Sequence, residues 1–255
     1  MGEIITLLSD WRLRDPYVAM LKGRILSRFP NATIVDVTHY IDKFDTLQAS
    51  FLMRSCYKSF PQGSIHLMLT NTSFSSDFSP VLLKHDGHFF IGADDGSFFM
   101  MFGNTSHLNG MSLKNSSGRS VQDMLDIIGH IADNSLEDNL LEYNSFKRAF
   151  VEDPEYSEQN RRIEGQIIYI DAFNNAITDI SAERFKQMVK NGPFTATIQS
   201  TGEWKIDKFT PKYAELGNEM FLTENELGHI EIAAHQSDVA ILADLNPYDK
   251  VIINY

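Results

Sequence analysis

Four segments of this chain concentrate side chains that can hold charge or form directed hydrogen bonds. The first is Leu7-Leu8-Ser9-Asp10, followed by Asp15-Pro16-Tyr17-Val18-Ala19-Met20-Leu21-Lys22-Gly23. The second is Ile34-Val35-Asp36-Val37-Thr38-His39, then Phe44-Asp45. The third is Phe90-Ile91-Gly92-Ala93-Asp94-Asp95-Gly96, and the fourth Ile168-Tyr169-Ile170-Asp171-Ala172-Phe173-Asn174-Asn175-Ala176-Ile177-Thr178. Carboxylates dominate them. A carboxylate accepts from two hydroxyls at once, and an amide such as that of Asn175 both donates and accepts. Each residue also has a purely structural reading. Asp10 can be a loop or capping aspartate and Asn175 a tight-turn asparagine. Asp15 stands where an N-cap would precede Pro16 at the first helical position.

The first half of the chain supplies elements to position these groups. Ile4 to Leu8 is a short apolar run, and Val18, Leu21, Ile25 and Phe29 mark one helix face at spacings of three and four. Thr33 to Val37 reads as a buried strand, Leu47 and Phe51 as part of the next helix, and Ile65 to Leu69 as a third strand. This β-α-β-α-β order implies parallel strands covered by helices. Ligands in such sheets bind beyond the carboxyl ends of strands, which directs attention to Ser9-Asp10, Thr38-His39 and Thr70-Asn71. Val81 to Leu83 and Phe89 to Ile91 flank the hairpin signal Asp86-Gly87. Ser97 to Phe102 reads as a further strand and Val121 to Ile131 as a helix. Residues 152–163 are polar, contain Pro154 and read as a linker between an N-terminal α/β domain, 1–155, and a C-terminal β-rich domain, 163–255. In the latter, Gly165 to Ile170, Phe194 to Ile198, Met220 to Leu222, His229 to Ala233 and Lys250 to Ile253 read as strands, with one helix near Ala182 to Val189.

Composition removes several functions. At 255 residues the chain can bury one large core or two modest ones. A formal net charge of -12 argues against nucleic-acid binding, and Arg161-Arg162 is too short a basic piece to reverse that. Cys56 is the single cysteine, so neither an intrachain disulfide nor a cysteine-based zinc site is expected; it reads as buried and inert. His85 and His88 bracket the hairpin turn rather than share a helix face, and no metal site is expected. There is no Gly-rich dinucleotide fingerprint, Walker A sequence or G-x-S-x-G elbow. MGEIITLLSD lacks the pattern of a signal peptide, its Met-Gly start is a weak myristoylation match, and no apolar run is long enough to span a bilayer. A cytoplasmic, membrane-independent protein is expected.

In their order and spacing, the four segments resemble the S-adenosylmethionine (SAM) hydroxide adenosyltransferases and their fluorinase and chlorinase relatives. That family opens with L-T-D-F-G and D-P-Y-V-x-x-x-K-G, and continues with I-V-D-x-T-H, G-P-D-N-G and Y-I-D-x-F-G-N-x-I-T-N-I. Gly228-His229-Ile230-Glu231-Ile232-Ala233 is similar to its G-Y-L-E-I-A. The resemblance covers nearly the whole chain. It implies a mostly parallel N-terminal α/β domain, a smaller C-terminal β-barrel-like domain, a homotrimer with sites at subunit interfaces, and SAM as substrate or ligand with no separate cofactor. By the same resemblance Asp10 would hold the ribose hydroxyls, Asp15 and Asp171 the methionine part, and Asn175 the adenine edge. Phe44 and Tyr213 would pack on the nucleoside, although ordinary core packing also suits both.

The resemblance fails where the family activates water. Its Asp and Arg come from D-P-G-V-G-x-x-R and its His from F-H-G-R-D. Here Asn71 stands in the Asp position, Phe78 in the Arg position and Ser117 in the His position. Glu226 and Leu227 stand before Gly228, where many relatives have serines, and Glu226 would repel the methionine carboxylate. The expected activity is therefore displacement of methionine at ribose C5′ in weakened or altered form. The alternative is a non-catalytic SAM- or adenosine-binding protein on the same scaffold. Halogenase relatives hold a halide with hydroxyls and backbone N–H groups; Thr72, Ser73 and Ser117 offer hydroxyls but do not match those residues.

Overall fold

The computed structural model describes residues 3–74, 78–103, 108–149, 152–200, 202–210 and 219–255. The chain divides into two compact units, Met1–Phe150 and Val151–Tyr255. In the first, β1 (Ile4–Ser9), α1 (Tyr17–Arg28), β2 (Thr33–Thr38), α2 (Thr46–Cys56) and β3 (Ile65–Leu69) follow one another, with a single 3-10 turn after α2. Then come β4 (Val81–His85), β5 (His88–Gly92), α3 (Ser97–Phe102), β6 (Asn109–Leu113), α4 (Ser120–Ala132), α5 (Leu136–Asn139) and β7 (Leu140–Tyr143). The seven strands form one sheet in the order β2-β1-β3-β5-β4-β6-β7. β2, β1, β3 and β5 pair in parallel, whereas β4, β6 and β7 are antiparallel. The sheet is thus mixed, and its parallel half carries the strand ends singled out above.

Strand alternation sends successive side chains to opposite faces, and each face has its own core. Leu7, Leu67, Leu69, Leu82 and Ile91 pack with Leu21 and Ile25 of α1 and with Val121, Met124 and Ile128 of α4. Their immediate neighbours Leu8, Met68, Leu83 and Phe90 pack instead with Ala49 and Met53 of α2 and Phe98 and Met101 of α3. Strands buried on both faces read as continuous apolar runs, which is why β1 and β3 show no polar alternation.

Three expectations are corrected. Ser97 to Phe102 is a helix, not a strand. Gly96, at φ 102, reverses the chain, Asp95 Oδ1 accepts from Ser97 N at 3.0 Å, and Phe98 and Met101 share the inward face. A run of phenylalanine and methionine has no β-branched residue to oppose that turn. Asp15 does not cap α1: Pro16 occupies the N-cap and no side chain bonds the free amides. Cys56 is half-buried rather than buried. Its thiol stays protonated, since burial pushes it up to about 11.

The second unit comprises β8 (Glu155–Ser157), β9 (Arg162–Ile170), β10 (Ala176–Ser181), α6 (Ala182–Val189), β11 (Thr195–Gln199), β12 (Glu203–Ile206), β13 (Met220–Glu224), β14 (His229–Ala234), α7 (Val239–Leu242) and β15 (Lys250–Asn254). Its sheet runs β12-β11-β15-β9-β10-β14-β13, with β8 on β9 inside the polar stretch 152–163. A bridge between Phe209 and Leu222 brings the chain after β12 onto β13, so the antiparallel sheet nearly closes on itself. Inside lie Ile163, Ile167, Ile180, Ile198, Leu222, Ile232 and Val251. No helix among the described residues is long and apolar enough to cross a membrane.

One buried polar chain in the first unit makes its stability depend on pH. Thr6 Oγ1 lies 2.8 Å from His66 Nδ1, and His66 Nε2 lies 3.1 Å from His88 Nδ1. Both rings are buried, and His66 stacks on Phe90. Burial, reinforced by His88, holds His66 down at about 3 against an ordinary 6.5. A base depressed in the folded state contributes stability that is present above its unfolded pKa and is lost as pH falls toward the folded one. Urea titrations from pH 7 down to 4 should therefore show a loss of about 2–4 kcal/mol through this group. His66→Phe, which keeps a stacked ring but takes up no proton, should show a shallower decline; an equally steep one would place the dependence elsewhere.

Candidate functional site

β1 ends at Ser9, and Asp10 follows it between the ends of β2 and β3, because all three run the same way. Asp10 is only 9% exposed. Its Oδ2 accepts from Phe44 N at 3.1 Å and from Asn71 N at 3.2 Å, which ties the segments after β2 and β3 to β1. Among the described residues nothing bonds Oδ1. Arg12, Phe44 and Asn71 all have positive φ, at 63, 64 and 56. Arg12 occupies the glycine position of the L-T-D-F-G pattern, where a left-handed backbone costs a side-chain-bearing residue energy. Three such residues around one carboxylate are a local concentration of backbone strain, and such strain persists only where surrounding bonds over-determine it.

Those bonds are present. Arg12 N donates to His39 O at 2.8 Å, and Asp42 N donates to Gln48 Oε1 at 2.6 Å. Asp45 caps α2 by accepting from Gln48 N at 2.9 Å. The Phe44 ring is 68% exposed, so the core-packing reading of this residue does not hold. Ser9 Oγ lies 2.7 Å from His39 Nδ1, and both residues are buried. His39 Nε2 in turn lies 3.2 Å from Asp36 Oδ1, and Lys22 Nζ donates to Asp36 Oδ2 at 2.6 Å. Burial works against the Asp36 charge, but the bond from Lys22 and the close approach of His39 prevail and hold this carboxyl below its ordinary range.

The three positions that differ from the water-activating set are engaged locally. The Asn71 backbone serves Asp10. Phe78 is half-buried against the core beneath α1 and α4, and its carbonyl accepts from Ser120 Oγ at 3.0 Å. Ser117 N donates to Asp123 Oδ1 at 2.8 Å, and the Ser117 hydroxyl oxygen accepts from Arg119 N at 3.2 Å. Trp11 Nε1 donates to Thr72 O at 2.5 Å, and the Trp11 and Tyr17 rings meet Phe74, over which Arg24 lies at 4.7 Å. Asp15 is exposed. Asp77 and Tyr213 fall outside the described residues.

In the second unit Asp171 and Asn175 form one turn between β9 and β10. Asp171 Oδ1 accepts from Phe173 N at 2.9 Å and Asn175 N at 2.8 Å, and its Oδ2 accepts from Asn175 Nδ2 at 3.3 Å. Asn174, at φ 58, completes the turn and donates through Nδ2 to Asp238 Oδ1. The turn-forming reading of these residues is therefore true, yet both also line a cleft of about 980 Å³ with Glu224, Glu226, Glu231 and Asp238. Lys186 neutralises Glu224, but among the described lining residues there is no lysine or arginine, so the remaining carboxylates favour a ligand carrying positive charge. Among the described residues no group of three or more His, Cys, Asp and Glu is placed to hold a metal ion. The Ser9–His39–Asp36 arrangement was not anticipated: all three residues lie in the quoted segments, but their pairing depends on the β1–β2 register.

Family models and known proteins match the chain over most of its length. The SAM hydroxide adenosyltransferase N-terminal domain matches residues 5–134, and the corresponding C-terminal domain matches residues 165–252. An (R)-S-adenosyl-L-methionine hydrolase of Methanocaldococcus jannaschii is 22% identical over 99% of this chain and 96% of its own length. A fluorinase of Nocardia brasiliensis is 30% identical, but over 32% of this chain and 27% of its own. In fold, the chain superposes with a TM-score of 0.82 on an uncharacterized conserved protein from Thermotoga maritima, at 20% identity, covering 99% of this chain and 100% of the other.

If Asp10 anchors the loops after β2 and β3, Asp10→Ala leaves two amides without their acceptor. It should lower the unfolding free energy by about 1–3 kcal/mol. Asp10→Asn, which keeps one carbonyl oxygen, should lose less. Urea midpoints read both, and an Ala variant as stable as the parent would contradict the anchoring.

Proposed function

The chain belongs to the SAM hydroxide adenosyltransferase family, and from that premise we propose that it binds SAM as substrate or ligand and displaces methionine at ribose C5′ in weakened or altered form. The observation that carries this reading is Asp10: a buried carboxylate at the carboxyl end of a parallel strand, held through Oδ2 by two amides, with Oδ1 left for a ligand hydroxyl. Asp10 takes the ribose diol, Asn175 the adenine edge, and Asp15 and Asp171 the positive charge of the methionine part. Phe44 and Tyr213 flank the nucleoside. Within the acidic lining, Asp171, Glu231 and Asp238 support a ligand bearing sulfonium and ammonium groups, whereas Glu226 opposes its carboxylate. A cytoplasmic homotrimer is part of the same reading, and a sedimentation mass near that of a single 29.0 kDa chain would count against it.

The displacement needs little from the protein beyond alignment, since a sulfonium is already a good leaving group. The nucleophile forms a bond to C5′, the C5′–S bond breaks, and its electron pair neutralises sulfur as methionine leaves. Water as nucleophile must also lose a proton, and a positioned base contributes about 10²–10⁴-fold to such a step. Asn71 takes up no proton, Phe78 carries no charge, and Ser117 is a very weak base. These three positions favour the second reading, a non-catalytic SAM- or adenosine-binding protein, over vigorous hydrolysis.

Calorimetry with SAM, adenosine and methionine, together with chromatographic assay of SAM turnover, tests both. Adenosine binding is expected, and Asp10→Ala should weaken it by about 1.5–3 kcal/mol. Hydrolysis should fall well below about 1 s⁻¹, and combining Asn71→Asp, Phe78→Arg and Ser117→His should raise it. Asp77 is the nearest acid to Asn71 along the same loop of the sequence, and turnover at ordinary enzymatic rates that vanishes in Asp77→Asn would sink the impaired-hydrolase reading in favour of a relocated base. Glu226→Gln should strengthen binding of SAM, which carries a carboxylate, by about threefold while leaving adenosine unchanged; equal effects on the two ligands would remove Glu226 from the methionine end.

A further inference from the structure

We infer that His39 is a positioning residue that sets the aim of Asp10 through the Ser9 hydroxyl. Ser9 Oγ already accepts from Trp11 N at 3.3 Å, so its own proton is available to His39 Nδ1, 2.7 Å away. His39 then carries its hydrogen on Nε2, which makes no aligned hydrogen bond but stands 3.2 Å from Asp36 Oδ1, a charge contact. Asp36 is fixed from its other oxygen by Lys22 of α1. A carboxylate beside one ring nitrogen selects the tautomer whose other nitrogen accepts, so α1, β2 and β1 are coupled through one ring. The arrangement has the order of a serine–histidine–aspartate nucleophile. Ser9 is wholly buried, however, which leaves it no access to a substrate and turns the same geometry into a brace.

What the brace holds is the strained segment after β1. Ser9 O accepts from Ile41 N at 3.4 Å, and His39 O accepts from Arg12 N at 2.8 Å, where Arg12 has a φ of 63. Asp10 lies between these two tie points, and its carboxylate is in turn the acceptor for Phe44 N and Asn71 N. The β1–β2 register slips between Leu7 and Leu8, pairing Leu8 with Thr38. That slip carries the end of β2 one residue further along β1 and brings His39 level with Ser9. The ligand half of the inference rests on Asp10 holding a ribose; the structural half does not.

Amide hydrogen exchange followed by NMR tests the structural half in the absence of ligand. In Ser9→Ala, which deletes a single oxygen, and in His39→Leu, the amides of Phe44 and Asn71 should exchange about tenfold faster, the equivalent of one lost hydrogen bond. Amides of β5, remote from the brace, should hold their rates. His39→Asn places an amide oxygen where Nδ1 stood and should restore slow exchange, whereas His39→Gln, which reaches toward the Nε2 position, should not. Unchanged exchange at Phe44 and Asn71 in Ser9→Ala, or equal behaviour of His39→Leu and His39→Asn, overturns the inference, because ring packing alone would then account for His39. Adenosine affinity, measured on the same proteins, should follow the exchange rates. If exchange responds while the parent protein binds no adenosine, the positioning role stands and the proposed function falls. If adenosine binds but exchange does not respond, the reverse holds.

Discussion

β1 lies between β2 and β3 with all three strands running the same way, so three separate segments leave the sheet at one edge. Parallel strands place their carboxyl ends together and require a covering helix for each return, which α1 and α2 supply. Everything distinctive about the first unit follows from that edge. Asp10 can collect amides from Phe44 and Asn71 only because the chain emerges from β2 and β3 beside it. The buried serine and histidine meet only because β1 and β2 share a register slip. An antiparallel arrangement of the same residues would scatter these groups to opposite ends of the sheet.

The edge is also where the fold departs from its local preferences. Non-glycine residues with positive φ cost roughly 1–3 kcal/mol each where other contacts must hold them. Three of them surround one carboxylate, and two of the three donate their amides to it. The cores on either side of the sheet, built from the alternate faces of the same strands, supply the rigidity against which this segment is held. A carboxylate whose orientation is set before a ligand arrives loses little freedom on binding, which suits the ribose-holding role proposed for Asp10.

The second unit solves a different problem. An antiparallel sheet that nearly closes leaves few unpaired strand edges, and β13 is joined to the chain following β12 through Phe209 and Leu222. Its Asp171–Asn175 turn is held by the carboxylate of Asp171 itself, and both residues line the acidic cleft. The turn-forming role of this aspartate therefore does not exclude the ligand-binding role proposed for it. The same holds for Asp10, where one oxygen anchors two loops and the other remains open.

Elements with strong periodicity or bounded apolar runs were legible in the sequence: β1 to β3, the β4–β5 hairpin, α1, α4, α6 and most strands of the second unit. So was the family, because several short motifs occur in register across the chain. β6, β7, β8, β10 and β12 were not read, since they are short or polar and owe their form to the strands beside them. After Ser97 the segment to Phe102 is uniformly apolar and carries no period, so its choice of helix fell to Gly96, the Asp95 bond and packing against α2. The sequence by itself singled out the candidates that the family motifs mark: Asp10, Asp171, Asn175 and the altered Asn71, Phe78 and Ser117. Only the tertiary structure decided which of Asp10's oxygens is committed, that Asp15 caps nothing, that Phe44 stands exposed, and that Ser9, His39 and Asp36 form one chain of contacts. Residue type and spacing report what a side chain can do, but its partners are fixed by strand register and by backbone amides from segments about 30 and 60 residues away, and no local pattern encodes those.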